Sequence, residues 1–197
     1  MSTLLIKNAR YIVSCDDTDR LYERSNLFIR DNAIEYIGPE LRQADQVIDA
    51  SGLAVSPGLV DMHVHLRDPG LTYKEDIITG SNAAARGGIT AMACMANTSP
   101  TVDCPEQVQY VLDRANQGSG VQIFPIAALS KGLRGEEPTD ADALKKAGAI
   151  ALSDDGNNVD SATRIRSGIV DSLRTFISMD MTCYYHIHMS SVQQRLH

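Results

Sequence analysis

The sequence predicts an α/β protein in which a small β-rich unit precedes a parallel sheet built from strand–helix repeats. Three observations support this. The composition is that of a globular protein, with 43% hydrophobic and 22% charged residues. Short apolar runs typical of strands crowd residues 1–56, and Pro57-Gly58 then interrupts the pattern. From residue 59 onward, strand-like runs recur about every 30 residues with helix-like segments between them, as in a βα array. We therefore expect two domains, residues 1–56 and residues 57–197.

The first domain is predicted to be a small β-sandwich-like unit. Its hairpin is the clearest element, because Asp31-Asn32 separates two apolar runs and asparagine tolerates the positive φ of a tight turn. The predicted strands are Leu4–Ile6, Tyr11–Val13, Leu27–Ile29, Ile34–Ile37, Val47-Ile48 and Leu53–Val55.

The second domain is predicted to alternate strands and helices. Strands begin near Leu59, Thr90, Val121, Ala149 and Met181, and helices cover residues 73–86, 105–116, 143–147 and 161–176. Gly87-Gly88 ends the first helix, Pro105 opens the second, and Thr139 to Asp142 resembles a capping box before the third. A closed (β/α)₈ barrel needs roughly 250 residues. The repeats therefore predict either an open doubly wound sheet or part of a barrel.

Charge and composition exclude several functional classes. The formal net charge is −7 and no basic patch is present, so we expect no nucleic-acid partner. No apolar run approaches the roughly 20 residues of a membrane span, and the first residues do not resemble a secretory signal. The four cysteines are far apart and are expected to be reduced. These features predict a cytoplasmic protein that binds small molecules.

The strongest candidate site is His63-Val64-His65, on the first strand of the second domain. Side chains at i and i+2 of a strand share one face, so the two imidazoles can chelate one metal ion. The alternative is two unrelated histidines on a half-exposed strand. The charged neighbours Asp61, Arg67 and Asp68 favour the metal site, because such groups are costly to bury for packing alone.

Three further segments carry polar groups suited to a site. Asp154-Asp155-Gly156 ends the fourth strand, where a carboxylate could ligate a metal or, as the alternative, cap a turn. Asn97 follows the second strand and either binds substrate or belongs to a turn. His186-Ile187-His188 is a second His-x-His near the end of the chain, and is a weak indication by itself.

Taken together, the motifs resemble those of the amidohydrolase superfamily in its dihydroorotase form. The resemblance rests on the segment from Ser56 to Gly70 and continues in order through Lys74-Glu75-Asp76, Asn97-Thr98-Ser99-Pro100, Ser130-Lys131-Gly132-Leu133 and Asp154-Asp155-Gly156. It covers roughly residues 1–160. Related hydantoinase-like and allantoinase-like proteins share the His-x-His, but dihydroorotases characteristically have arginine two residues later, as Arg67 is here.

The resemblance implies a partial (β/α)₈ TIM-type metal-dependent hydrolase barrel that holds one or two zinc ions. His63, His65 and Asp155 match metal ligands. His188 matches a further ligand if a βα unit is missing before it, and His186 is the alternative. Arg67 and Asn97 match the groups that hold the substrate carboxylate. The implied reaction interconverts dihydroorotate and carbamoyl-aspartate in pyrimidine biosynthesis, and the expected partners are further copies of the chain and an aspartate transcarbamoylase.

The sequence also departs from the family pattern. An acidic pair is missing, and the family's catalytic aspartate has no counterpart before His197, so the catalytic residue is unknown. We expect the 197-residue chain by itself to bind metal but to be nearly inactive; were it active, Asp154 or His186 would be the candidate base. The rival interpretation is a non-catalytic remnant or an assembly partner of a transcarbamoylase. Another cyclic amidohydrolase, such as a dihydropyrimidinase or allantoinase, is disfavoured by Arg67.

Overall fold

The computed structural model describes residues 2–157, and the chain divides into two compact units, Met1–Pro57 and Gly58–His197. The predicted helix over residues 161–176, the strand near Met181, and both His186 and His188 lie outside the described residues. None of the helices between residues 2 and 157 combines the length and apolarity needed to cross a bilayer.

The first unit contains one five-stranded mixed sheet. The strands are β1 (Thr3–Val13), β2 (Leu21–Arg30), β3 (Ala33–Gly38), β4 (Gln46–Asp49) and β5 (Ala54–Val55). They are ordered β3-β2-β1-β4, and β5 pairs with the far half of β1. A small cluster of buried residues, Ala9, Ile12, Leu27 and Ala50, forms the core of this unit.

Two details of this sheet follow from single polar residues. The hairpin between β2 and β3 is confirmed: Asp31 and Asn32 have φ values of 46° and 68°, as its two-residue turn requires. The two runs predicted around Leu4–Ile6 and Tyr11–Val13 are one strand with a bulge. At the bulge Asn8 has φ 60°, and its backbone N–H donates to the side-chain oxygen of Asn26 on β2 at 2.8 Å instead of to a backbone carbonyl.

The second unit is a parallel sheet with a helix after each of its first three strands, which confirms the α/β class. The elements are β6 (Leu59–Val64), α1 (Ile77–Arg86), β7 (Ile89–Cys94), α2 (Pro105–Asn116), β8 (Gln122–Ala127), a 3₁₀ turn (Lys131–Leu133), α3 (Ala141–Lys146) and β9 (Ala151–Leu152). The strand order β6-β7-β8-β9 follows the sequence. A doubly wound sheet reverses its strand order at a switch point, whereas a barrel does not, so the order favours the barrel alternative.

Side-chain caps set the starts of two helices. The first helix begins at Ile77, four residues later than predicted, because the Asp76 carboxylate accepts hydrogen bonds from the N–H groups of Ile78 and Thr79 at 2.8 and 2.9 Å. The cap of α3 is Asp140, which accepts from Ala143 N–H at 3.0 Å. The predicted role of Thr139 as this cap was wrong, since its hydroxyl donates to the Ala128 carbonyl at 2.7 Å.

Both faces of the parallel sheet are packed. Met92 and Cys94 join the larger cluster, which also holds helix residues Ile77, Val108 and Leu144. Their neighbours on the strands, Ala93, Met95 and Ile126, form a separate small cluster. Because consecutive side chains of a strand point to opposite faces, the first cluster lies on the helix side and the second on the other side.

Candidate metal centre

Two histidines project from the end of β6 onto the face opposite the helices. Val64, which separates them, packs against the helix-side cluster, so His63 and His65 point the other way. Their ring centroids are 5.3 Å apart with an interplanar angle of 74°. The strand alternation that predicted a shared face for the two imidazoles therefore holds in the structure.

Asp155 approaches these histidines from the opposite edge of the four-stranded sheet. Its Oδ1 lies 3.3 Å from His63 Nε2, and its Oδ2 lies 3.4 Å from His65 Nε2. Asp155 follows β9, three strands away from β6, and a flat sheet would separate such strands by about 14 Å. The contact is made because the sheet curls, as in the wall of a barrel.

The donor atoms fit a divalent metal ion. One ligand atom from each of His63, His65 and Asp155 lies within 4.8 Å of the others, and this is the one such group in residues 2–157. A tetrahedral ion with bonds near 2.1 Å holds its ligand atoms about 3.4 Å apart. The histidine-to-carboxylate distances of 3.3 and 3.4 Å match that spacing.

His65 is biased toward the neutral form that binds metals. Burial lowers the pKa of its imidazole, and the positive charge of Arg67 lowers this pKa further. Asp155 opposes the shift without reversing it. Since a neutral imidazole offers a lone pair and an imidazolium does not, these surroundings favour metal ligation near neutral pH.

Arg67 lies directly after the histidine strand in an uncommon backbone conformation. Its φ is 61°, in the left-handed region that residues other than glycine, asparagine and aspartate rarely adopt. Arg67 is half-buried, and its positive charge lowers the pKa of the His65 imidazole. The structure therefore places the positive charge of Arg67 near the candidate metal ligand His65.

Asn97 lies at the same rim of the sheet, directly after β7, and contacts the loop after β9 that carries Asp155. Its Nδ2 donates to the backbone carbonyl of Asp155 at 2.8 Å. Its Oδ1 is buried and has no hydrogen-bond partner among the described residues. The amide orientation is set by chemistry, because only the NH₂ group can face a carbonyl oxygen.

Asp154, the alternative base considered from the sequence, is held by hydrogen bonds within the protein. Its side chain is buried and accepts hydrogen bonds from the N–H groups of Leu129 and Ser130, both at 2.9 Å, and from the Ser130 hydroxyl. Every one of these donors belongs to the segment after β8. The carboxylate therefore connects the end of β9 to this segment.

Asp68 likewise has a role that the sequence did not predict. It was expected to lie with the charged groups around the histidines, but its carboxylate is buried against helix α2. Tyr110 donates its hydroxyl to Asp68 Oδ1 at 2.9 Å, and Arg114 Nε lies 3.5 Å from Oδ2. The i, i+4 spacing of Tyr110 and Arg114 was the available indication, since it places both on one helix face.

Comparison with known proteins agrees with this geometry. A model of the family described as dihydro-orotase-like matches residues 52–192, which include the candidate ligands His63, His65 and Asp155. The chain belongs to the dihydro-orotase-like family. The resemblance read from the segment between Ser56 and Gly70 is thereby confirmed.

Curated relatives give the same result. A dihydroorotase of Ruminiclostridium cellulolyticum is 46% identical over 167 residues, covering 84% of this chain and 38% of that protein. A dihydroorotase of Syntrophotalea carbinolica is 43% identical, covering 84% of this chain and 39% of that protein. The chain thus spans under two-fifths of the length of these relatives.

Solved structures confirm the architecture. The L-hydantoinase of Arthrobacter aurescens, a dihydropyrimidinase, superimposes with a TM-score of 0.69 at 25% sequence identity. The match covers 84% of this chain and 37% of the hydantoinase chain. The fold class predicted from the sequence, part of a TIM-type hydrolase barrel, agrees with this neighbour.

Proposed function

We propose that this chain carries the metal-binding part of a dihydroorotase-type cyclic amide hydrolase, which interconverts dihydroorotate and carbamoyl-aspartate. The observation that carries the proposal is the meeting of His63, His65 and Asp155 at metal-ligand spacing with Arg67 beside them. Two imidazoles and a carboxylate form a ligand set that zinc accepts.

The proposed metal is zinc, as one or two ions. Each oxygen of Asp155 faces a different imidazole, so the carboxylate suits either one chelated ion or a bridge between two. We assign His188 as a further ligand, with His186 as the alternative. A bound zinc ion acts as a Lewis acid and lowers the pKa of its water toward about 7, which supplies a nucleophile for amide hydrolysis.

Arg67 and Asn97 are proposed to hold the substrate carboxylate. A guanidinium presents paired N–H donors whose spacing matches a carboxylate. Asn97 Nδ2 has two hydrogens, and its bond to the Asp155 carbonyl uses one of them, which leaves the second for a substrate oxygen. A ring substrate with a carboxylate is therefore favoured over an uncharged ring.

The charge of Arg67 and the spacing of the metal ligands each disfavour one alternative function. Hydantoinases share the fold, but a charged arginine beside the metal ligands is unnecessary for an uncharged cyclic amide. A purely structural assembly role does not require three ligand atoms at metal-binding distances. We also propose that the protein acts in the cytoplasm. Its proposed protein partners, which follow from the resemblance, are other copies of the chain and an aspartate transcarbamoylase.

The test combines metal analysis with turnover. We expect zinc to co-purify with the protein and to be lost from a variant carrying both His63→Ala and His65→Ala. Separate His186→Ala and His188→Ala variants decide which of these two is a ligand. Turnover assays with dihydroorotate, hydantoin and dihydrouracil, carried out on a complete enzyme built around this segment, identify the substrate class. Equal zinc content in the wild type and the double variant would contradict the metal site.

A further inference from the structure

We propose that Asp154 is a positioning residue that holds the metal ligand Asp155 in place through hydrogen bonds rather than through its charge. The inference rests on the proposed metal site. Its basis is that two adjacent aspartates have different surroundings, since Asp155 faces the histidines and Asp154 is buried against the loop after β8.

The anchoring contacts of Asp154 are concentrated on one short segment. Oδ1 accepts from the backbone N–H groups of Leu129 and Ser130, both at 2.9 Å, and Oδ2 accepts from the Ser130 hydroxyl. The Ser130 oxygen in turn accepts from Gly135 N–H at 2.7 Å. The side chain is thereby connected to both ends of the turn that follows β8. A buried carboxylate held by three hydrogen bonds has few alternative positions.

The backbone on either side of this anchor is also fixed. Before it, Ser153 N–H donates to the Ala127 carbonyl at 2.9 Å and extends the pairing of β8 and β9. After it, the carbonyl of Asp155 accepts from Asn97 at 2.8 Å. Asp155 therefore follows an anchored side chain, and its own carbonyl is bonded to the end of β7. Its carboxylate is thereby held toward His63 and His65.

Contacts of this kind matter for metal affinity. Groups that orient a ligand without touching the metal typically change affinity 10- to 100-fold when they are removed. If Asp154→Ala frees the segment, the Asp155 carboxylate must be ordered when the metal binds, and affinity falls. Asp154→Asn keeps an oxygen for the two backbone N–H groups, and its NH₂ can donate to the Ser130 hydroxyl. We therefore expect Asn to restore most of the affinity that Ala loses.

The experiment measures Co²⁺ and Zn²⁺ affinity by competition with a chromophoric chelator, together with the visible spectrum of the Co²⁺ form. The variants are Asp154→Ala, Asp154→Asn and the control Asp140→Ala, which removes a carboxylate that caps α3 and does not contact the metal ligands. Thermal melts report stability separately. We expect affinity to fall 10- to 100-fold with an altered Co²⁺ spectrum for Asp154→Ala, and to stay near the wild-type value for Asp154→Asn and Asp140→Ala.

Each other outcome has a definite meaning. Asp154→Ala affinity equal to that of the wild type overturns the positioning role, and an Asp154→Asn loss as large as that of Asp154→Ala overturns the hydrogen-bond explanation in favour of charge. If Asp154→Ala does not fold, Ser130→Ala, which removes one donor, decides: a smaller loss with the same spectral change supports the role, and wild-type behaviour overturns it. A wild-type protein that binds neither metal contradicts the proposed function itself, and the inference falls with it.

Discussion

The side chain of Asn97 donates a 2.8 Å hydrogen bond to the backbone carbonyl of Asp155, 58 positions later in the sequence. This bond connects the end of β7 to the loop after β9. It brings a proposed substrate-binding residue into direct contact with a proposed metal ligand. In the proposed site, one amide group therefore contributes both to substrate binding and to the placement of Asp155.

Asn97→Asp tests this contact. The substitution would place a carboxylate oxygen against the carbonyl of Asp155, so we expect the free energy of unfolding to fall by about 1–3 kcal/mol, as for other buried groups that lose a partner. Zinc affinity should fall as well. The matched control is Asn157→Asp, because Asn157 donates to the same carbonyl from an exposed position at 3.3 Å. Equal effects of the two variants would show that burial of Asn97 is unimportant.

Arg67→Met tests recognition of the carboxylate. Removing one member of a charge-assisted pair typically costs 2–5 kcal/mol, so we expect affinity for dihydroorotate to fall roughly 30-fold or more. Zinc content should change little, because Arg67 is not a ligand. Arg86→Met at the exposed end of α1 is the control, since it removes the same charge. Kinetics are measured in a complete enzyme built around this segment, because the 197-residue chain by itself is expected to be nearly inactive. Unchanged kinetics for Arg67→Met in that enzyme would show that Arg67 is only a surface charge.

Tyr110→Phe tests the anchor between helix α2 and the segment after β6. The variant removes the hydroxyl that donates to the buried carboxylate of Asp68 at 2.9 Å. We expect the free energy of unfolding to fall by about 1–3 kcal/mol, since a buried acceptor then lacks this partner. Tyr73→Phe removes the same hydroxyl from a side chain that is 78% exposed, and should have little effect. Chemical denaturation of both variants is the measurement.

Asp49 gives the first unit a defined acid sensitivity. Hydrogen bonds from the Ser51 side chain and backbone lower its pKa from 3.8 to about 2, and Asn8 and Lys7 contribute in the same direction. A carboxylate whose pKa is lower in the folded state stabilises the fold above its unfolded pKa. That stabilisation is lost as the pH falls from about 4 to about 2.

We therefore expect Asp49→Asn to flatten the decline in stability between pH 4 and pH 2. Asp17→Asn, which removes a carboxylate from the loop between β1 and β2, serves as the control for the loss of one negative charge. Denaturation curves measured at several pH values provide the comparison. Parallel declines for the wild type and Asp49→Asn would contradict the assignment.

Parts of the fold and of the candidate site were predictable because the sequence patterns behind them span only a few residues. The shared face of His63 and His65 follows from strand alternation, and the turn at Asp31-Asn32 follows from the φ values that asparagine and aspartate tolerate. The roles of Asp68 and Asp154 were not predictable in this way. Each depends on donors from distant segments, Tyr110 in one case and Leu129 and Ser130 in the other.

The sequence by itself determined the α/β class, the approximate positions of most strands between residues 2 and 157 and the identity of the candidate ligands, because periodicity, caps and motifs act over a few residues. The resemblance implied a partial barrel, but the repeat pattern alone left open whether the parallel sheet is an open doubly wound sheet or part of a barrel. The tertiary structure decided this, because only the curl of the whole sheet brings Asp155 to within 3.3 Å of His63 across three strand spacings. Only packing decided the contacts of the neighbouring Asp154, since its carboxylate turns toward the donors Leu129 and Ser130 that the rest of the fold supplies.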